Sequence, residues 1–134
     1  MGRKRASTDP GITGTYDIST GTAEVVPDEF RDGAYILNVN GVPSSHIVLG
    51  EPEELEFEYM RWIAAAVEHL NSRPANKLRV THLGGAGCSL PRYFASKLPG
   101  SRHTVVELDA KLGELVRTLF DVPRSPTVKI LSLI

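Results

Sequence analysis

One cysteine in 134 residues leaves no partner for an internal disulfide. Cys88 belongs to no metal-ligand cluster and reads as a small packing residue at a helix start, with a thiolate nucleophile as the lesser alternative. The four histidines, His46, His69, His82 and His103, show no i, i+4 pairing and have no cysteine beside them, which argues against a zinc site. An excess of basic charge is also missing. Fifteen Lys and Arg face 16 Asp and Glu, a net charge of −1, so a general nucleic-acid-binding surface is not expected. No apolar run approaches the roughly twenty residues that span a bilayer, and the N-terminus lacks the apolar core of a signal peptide. No membrane association and a cytoplasmic location are the expectation.

A hydrophobic content of 41% excludes a wholly disordered chain, and the length suits one domain or a piece of a larger one. Residues 1–21 are polar and Gly-rich and read as a mobile tail. Residues 22–50 carry β-type runs at Ala23–Val26, Ala34–Val39 and Val42–Leu49. Between the last two, Asn40-Gly41 is a type I′ hairpin signal. From Glu53 to Leu70 the residues Leu55, Tyr59, Trp62, Ile63, Ala66 and Leu70 recur at helical spacing behind Pro52 and three acids, predicting an amphipathic helix. Beyond Leu78 the pattern alternates: strand 78–83, helix 89–97, strand 103–108, helix 110–120, strand 127–131. Leu112, Leu115, Val116, Leu119 and Phe120 form the buried stripe of the second of these helices. Such alternation predicts parallel strands with right-handed crossovers. The fold class is therefore α/β: an antiparallel β module, then, over residues 51–134, the first half of a Rossmann-like doubly wound sheet.

Chemistry concentrates in Leu83-Gly84-Gly85-Ala86-Gly87 and, about twenty residues on, Val106-Glu107-Leu108-Asp109. A glycine turn after a strand lets backbone approach a ligand, and a carboxylate ending the next strand accepts hydrogen bonds from ribose hydroxyls. A tight strand-to-helix turn alone would also account for Gly84 and Gly85. Loop and acid together predict a nucleoside site.

In the order of these parts the chain resembles the spermidine synthase family, the polyamine aminopropyltransferases, over residues 22–131. The resemblance rests on Asn40-Gly41, on Glu56-Phe57-Glu58-Tyr59 opening the helix, on the loop and on the acid pair. It implies that Gly84, Gly85, Ala86 and Gly87 surround an S-adenosyl nucleoside, that Glu107 holds its ribose diol, and that Leu108 packs on the adenine or else in the core. It implies a polyamine substrate met by Tyr59, which the apolar stripe of the helix would equally claim. Decarboxylated S-adenosylmethionine, or S-adenosylmethionine itself, is the implied co-substrate, and no metal is implied.

Two departures stand out. The family's loop carries an aspartate where Gly87 stands, and its catalytic aspartate lies beyond a fourth parallel strand, whereas this sequence stops at Ile134 near the third. The expectation is a fragment, inactive as it stands, of an aminopropyltransferase. A methyltransferase fragment and a non-catalytic binding or assembly module are the alternatives. With one neighbour missing, strand 78–83 should expose an apolar edge and favour a homo-oligomer.

Overall fold

The computed structural model describes residues 11–132. Among these residues seven strands and three α-helices occur in the order β1 (Gly14–Ile18), β2 (Gly21–Pro27), β3 (Ala34–Val39), β4 (Val42–Val48), α1 (Glu58–Leu70), β5 (Arg79–Leu83), α2 (Ser89–Lys97), β6 (Arg102–Glu107), α3 (Ala110–Leu119) and β7 (Val128–Ser132). The first four strands make an antiparallel meander, and the last three a parallel sheet in the order β5-β6-β7. The expected α/β class, with an antiparallel module ahead of a Rossmann-like half sheet, is what the chain adopts. The β3–β4 turn has φ of 50° at Asn40 and 79° at Gly41, as the asparagine–glycine pair demands.

The N-terminal boundary differs from expectation. Residues 14–18, assigned to a mobile tail over 1–21, form β1, while residues 1–10 of that tail lie outside the described residues. Few apolar residues suffice here because each is placed well. Ile12 and Ile18 are buried, and the Tyr16 hydroxyl donates to Ile12 O at 2.6 Å.

The first helix is also shorter than expected, beginning at Glu58 rather than near Glu53. Its acids are drawn into cross-chain pairs instead of a helical first turn. Glu51 and Glu54 take Arg31 at 2.7 and 3.3 Å, and the Ser96 hydroxyl donates to Glu53 at 2.8 Å. Nor is the stripe on α1 buried: Met60 and Ala64 face the core, whereas Tyr59, Trp62, Ile63 and Leu70 are exposed. On α3 the expected stripe is correct, with Leu112, Val116 and Phe120 buried and Leu115 and Leu119 packed against them.

One buried cluster runs through both sheets, from Ala23, Val25, Leu37 and Ile47 to Cys88, Val105, Val116 and Val128. Polar bonds stitch the same seam. Gly87 N donates to Ser45 Oγ at 2.9 Å, Ser89 Oγ to His46 O at 3.1 Å, and an Arg92 Nη to Val48 O at 3.2 Å. The β module thus seats directly on the glycine loop and α2.

The helices α2 and α3 both cover one face of the parallel sheet, where His103, Val105 and Val128 are buried. Among the described residues the opposite face is open. There Leu83, Val106 and Leu131 stand in register across the three strands, and Leu83 is 86% exposed.

Candidate functional site

A cavity of about 540 Å³ opens at the carboxyl ends of β5 and β6, walled by the glycine loop, the start of α1 and the β1–β2 turn. This is where an open parallel sheet presents ligands. The loop earns its shape from backbone: φ is 81° at Gly84, 44° at Ala86 and 60° at Cys88. Such left-handed values come without steric cost at glycine and cost of order 1 kcal/mol at alanine or cysteine. Gly84 N bonds Val106 O at 2.8 Å, which continues the β5–β6 ladder into the turn. Gly85 must lack a side chain because a Cβ there would sit 2.5 Å from Val105 Cγ1.

Glu107 ends β6 with its carboxylate turned back to the loop. One oxygen accepts from Gly85 N at 3.2 Å and Ala86 N at 3.4 Å, and the other from Asp109 N at 3.0 Å. Three backbone amides therefore orient this acid. Each oxygen keeps lone-pair capacity for further donors on the cavity side.

Asp109 is the second acid on the wall. It caps α3 by accepting from Leu112 N at 2.9 Å and also takes Ser19 N, Thr20 N and the Thr20 hydroxyl at 3.0, 2.8 and 2.8 Å. Burial alone would raise its pKa. The bonds from Leu112, the Thr20 side chain and the Ser19 and Thr20 amides outweigh that and hold the carboxyl well below the usual carboxylate range.

His82 borders the cavity and leads inward: its Nε2 lies 3.0 Å from His103 Nδ1, and His103 Nε2 lies 2.8 Å from Ser101 Oγ. Ser101 Oγ donates onward to Phe94 O at 3.4 Å. Burial pushes both imidazoles down to about 4, helped at His82 by the neighbouring His103. Both rings are neutral at neutral pH. Cys88 is buried, and burial pushes its thiol up to about 12, so it packs and does not attack.

Of the expected site residues, Gly84, Gly85, Ala86, Glu107, Leu108 and Tyr59 line this one cavity. Leu108 is 61% exposed and Tyr59 50% exposed, so neither is a core residue. Gly87 is the exception. It turns toward β4, where a Cβ would meet Ser45 Cβ at 2.8 Å, so no longer side chain fits at that position without moving β4. Sequence reasoning missed Thr20, Ser44 and Met60 on the wall and gave Asp109 no role. For Asp109 a signal was present, since an aspartate directly before a helical run is a capping residue.

A parallel sheet with a glycine turn after its first strand, and a carboxylate held against that turn by the second, defines a methyltransferase-like Rossmann fold. Solved structures agree. The chain is similar to human Methyltransferase-like protein 13 in complex with SAH, at 23% identity over 59% of this chain and 37% of that one, with a TM-score of 0.51. It is similar in fold to spermidine synthase from Thermotoga maritima, at 18% identity over 90% of this chain and 40% of that one, TM-score 0.54. To a probable spermidine synthase from Corynebacterium glutamicum it is 50% identical, over 91% of this chain and 44% of that one, with a TM-score of 0.84. The chain belongs to the spermidine synthase-like family. It spans less than half the length of that relative. No protein-family model and no curated protein matches the chain. Among the described residues no helix is long and apolar enough to cross a membrane, and no three His, Cys, Asp or Glu side chains converge as a metal site.

Proposed function

We propose that the cavity holds an S-adenosyl nucleoside, decarboxylated S-adenosylmethionine in the first instance, for aminopropyl transfer to a polyamine. The observation that carries this reading is the Glu107 carboxylate, fixed by the Gly85, Ala86 and Asp109 amides at the cavity rim. Vicinal ribose hydroxyls are donors, and an ionised carboxylate with spare lone pairs accepts both with charge-assisted strength. Leu108, exposed beside it, offers an apolar surface to the adenine. Tyr59 presents its phenol and ring to the amine of the acceptor.

The transfer itself is an in-line displacement. An amine nitrogen attacks the methylene beside the sulfonium, the carbon–sulfur bond breaks, methylthioadenosine leaves, and the amine proton passes to a base. Positioning supplies most of the acceleration. Of the two carboxylates that line the cavity, Glu107 is committed to the ribose diol in this reading and Asp109 to the α3 cap and the β1–β2 turn, so neither is placed to take that proton. The chain in isolation binds nucleoside and does not turn over. A cytoplasmic location and freedom from nucleic acid belong to the same reading.

Calorimetry tests it. Methylthioadenosine and decarboxylated S-adenosylmethionine should bind, and Glu107→Gln should weaken both about tenfold or more, the loss of one charge-assisted bond of roughly 1.5–3 kcal/mol. No heat with either nucleoside would end the proposal. Methyl transfer from S-adenosylmethionine is the second reading, favoured by Gly87, where packing on Ser45 leaves no space for a polyamine-binding carboxylate. Preferential binding of the carboxylated nucleoside would select it.

A further inference from the structure

His82, His103 and Ser101 form a chain of polar groups that nucleoside binding does not use. His103 and Ser101 are each 1% exposed, so their polar atoms must find partners within the fold. The Ser101 hydroxyl has one proton. Donated to Phe94 O at 3.4 Å, it leaves the hydroxyl oxygen to accept Nε2–H of His103 at 2.8 Å. A neutral imidazole with a proton on one nitrogen carries a lone pair on the other, so His103 Nδ1 accepts Nε2–H of His82 at 3.0 Å. All three bonds form in this direction, whereas in the reverse direction Ser101 donates to His103 and the bond to Phe94 O is lost. The outermost atom of the chain, His82 Nδ1, is thereby left with a lone pair.

No described residue donates to that atom, and it is not sealed from solvent. Among the described residues the fully buried unpaired side-chain atoms are His46 Nδ1 and Arg92 Nε. The His82 ring packs on His103 and Phe94, with centroids at 5.2 and 6.4 Å, and the residue lines the first cavity beside Leu83 and Gly84. The same wall holds two carboxylates, Glu107 and Asp109, and among the described residues neither a lysine nor an arginine. Its field favours a cation, and a neutral imidazole adds no opposing charge. Burial keeps both rings neutral by pushing their pKa values down to about 4.

We propose, resting on the nucleoside reading of the same cavity, that His82 Nδ1 accepts a hydrogen bond from a primary ammonium group of the ligand and so selects an amine at the β5 end of the site. With the ribose on Glu107 and the adenine on Leu108 after β6, the reacting end extends over the glycine loop toward β5, where His82 stands. His103 and Ser101 act through His82, as positioning residues that fix which of its nitrogens bears the proton. An imidazole so hard to protonate binds the amine and does not take its proton.

Nitrogen-15 spectra of the histidine rings in the 134-residue chain test this. Without ligand, His82 should show a protonated Nε2 and an unprotonated Nδ1. Putrescine, added with methylthioadenosine, should shift the Nδ1 resonance saturably, while the exposed His69 ring stays unmoved and the uncharged diol of equal length gives no shift. Decarboxylated S-adenosylmethionine alone tells whether the amine is that of the aminopropyl arm or that of the acceptor. In Ser101→Ala the Nε2–H of His103 loses its acceptor, so the chain should reverse and His82 Nδ1 should gain the proton. Whichever amine gives the shift should then bind about tenfold more weakly, the loss of one bond from a charged donor, with methylthioadenosine affinity unchanged. His82→Phe should weaken the amine to the same extent. A protonated Nδ1 in the free wild-type chain, no Nδ1 shift with either amine, an equal shift with the diol, or full amine affinity in both variants would overturn the proposal. Methylthioadenosine binding in the same sample shows whether the nucleoside reading survives without it.

Discussion

Asp109 holds Thr20 across 89 residues, taking both the amide and the hydroxyl of Thr20 on one carboxylate oxygen at 2.8 Å each. The β1–β2 turn is thereby tied to the N-terminus of α3, and the turn becomes part of the cavity wall. The antiparallel module is in this way a component of the candidate site and not an appendage to it.

Asp109→Asn keeps the shape but presents an amide where backbone donors need an acceptor. Oδ1 can still cap α3 from asparagine, but the oxygen that takes the Thr20 amide and hydroxyl becomes a donor, and the loss of those two bonds with a donor facing a donor should cost about 2–4 kcal/mol. Thr20→Val removes one of those bonds and should cost about 1 kcal/mol. Urea unfolding of the two single variants and the double variant checks the tie: the costs should be markedly less than additive. Additive costs would mean that the turn and the cap are energetically separate.

Acid should weaken the fold in two stages. His82 and His103 have pKa values lowered from 6.5 to about 4, so the unfolded chain binds more protons between those limits. Their contribution is intact above pH 6.5 and is lost as pH falls toward 4, at up to about 1.4 kcal/mol per pH unit for each ring. Asp109, depressed below its usual 3.8, contributes above that value and loses its contribution as the pH falls further. Urea titrations at successive pH values should show both declines. The upper one should flatten in His82→Gln, and an unchanged slope there would remove the histidine pair from the explanation.

Gly85→Ala places a methyl 2.5 Å from Val105 Cγ1 at the centre of the loop–sheet contact. Overpacking of this kind costs about 1–3 kcal/mol. Val105→Ala makes room, so the double variant should recover part of the loss suffered by Gly85→Ala alone. Gly84→Ala meets open space but must hold φ at 81°, so its cost comes from backbone strain and Val105→Ala should not relieve it. Thermal unfolding of the three single variants and of the two doubles with Val105→Ala separates the two causes.

The legible parts of this chain are those whose signals are local. Asn40-Gly41, the alternation after Leu78, and the loop paired with Glu107 each predict their own neighbourhood, and each matches the structure. What was missed depends on distant partners. β1 reads as polar tail because its turn amides are satisfied by Asp109, far along the chain. The start of α1 reads as helical because nothing local shows that Arg31 and Ser96 claim its acids. The apolar stripe of α1 predicted burial, yet only Met60 and Ala64 find the core, because periodicity reports which residues share a face and not which face is covered. Gly87 looked like a member of the nucleoside loop, and only its contact with Ser45 shows that it packs the other way.

The parallel sheet carries one more consequence. Within the described residues β5 is hydrogen-bonded only to β6, so its outer edge presents unpaired backbone groups beside the open face on which Leu83 stands. An apolar edge without a bulge or an inward charge is a template for pairing with another strand. Thr81 and Leu83 are exposed on this strand, and Arg79 at its start is the only charge it bears. The 134-residue chain should therefore self-associate with increasing concentration in sedimentation velocity. Leu83→Lys places a charge in the path of a pairing strand and should shift the population toward monomer, while costing within about 0.5 kcal/mol of stability because the site is exposed. A wild-type chain that stays monomeric at every concentration, or a Leu83→Lys variant that associates as readily, would mean that the edge is protected by other means.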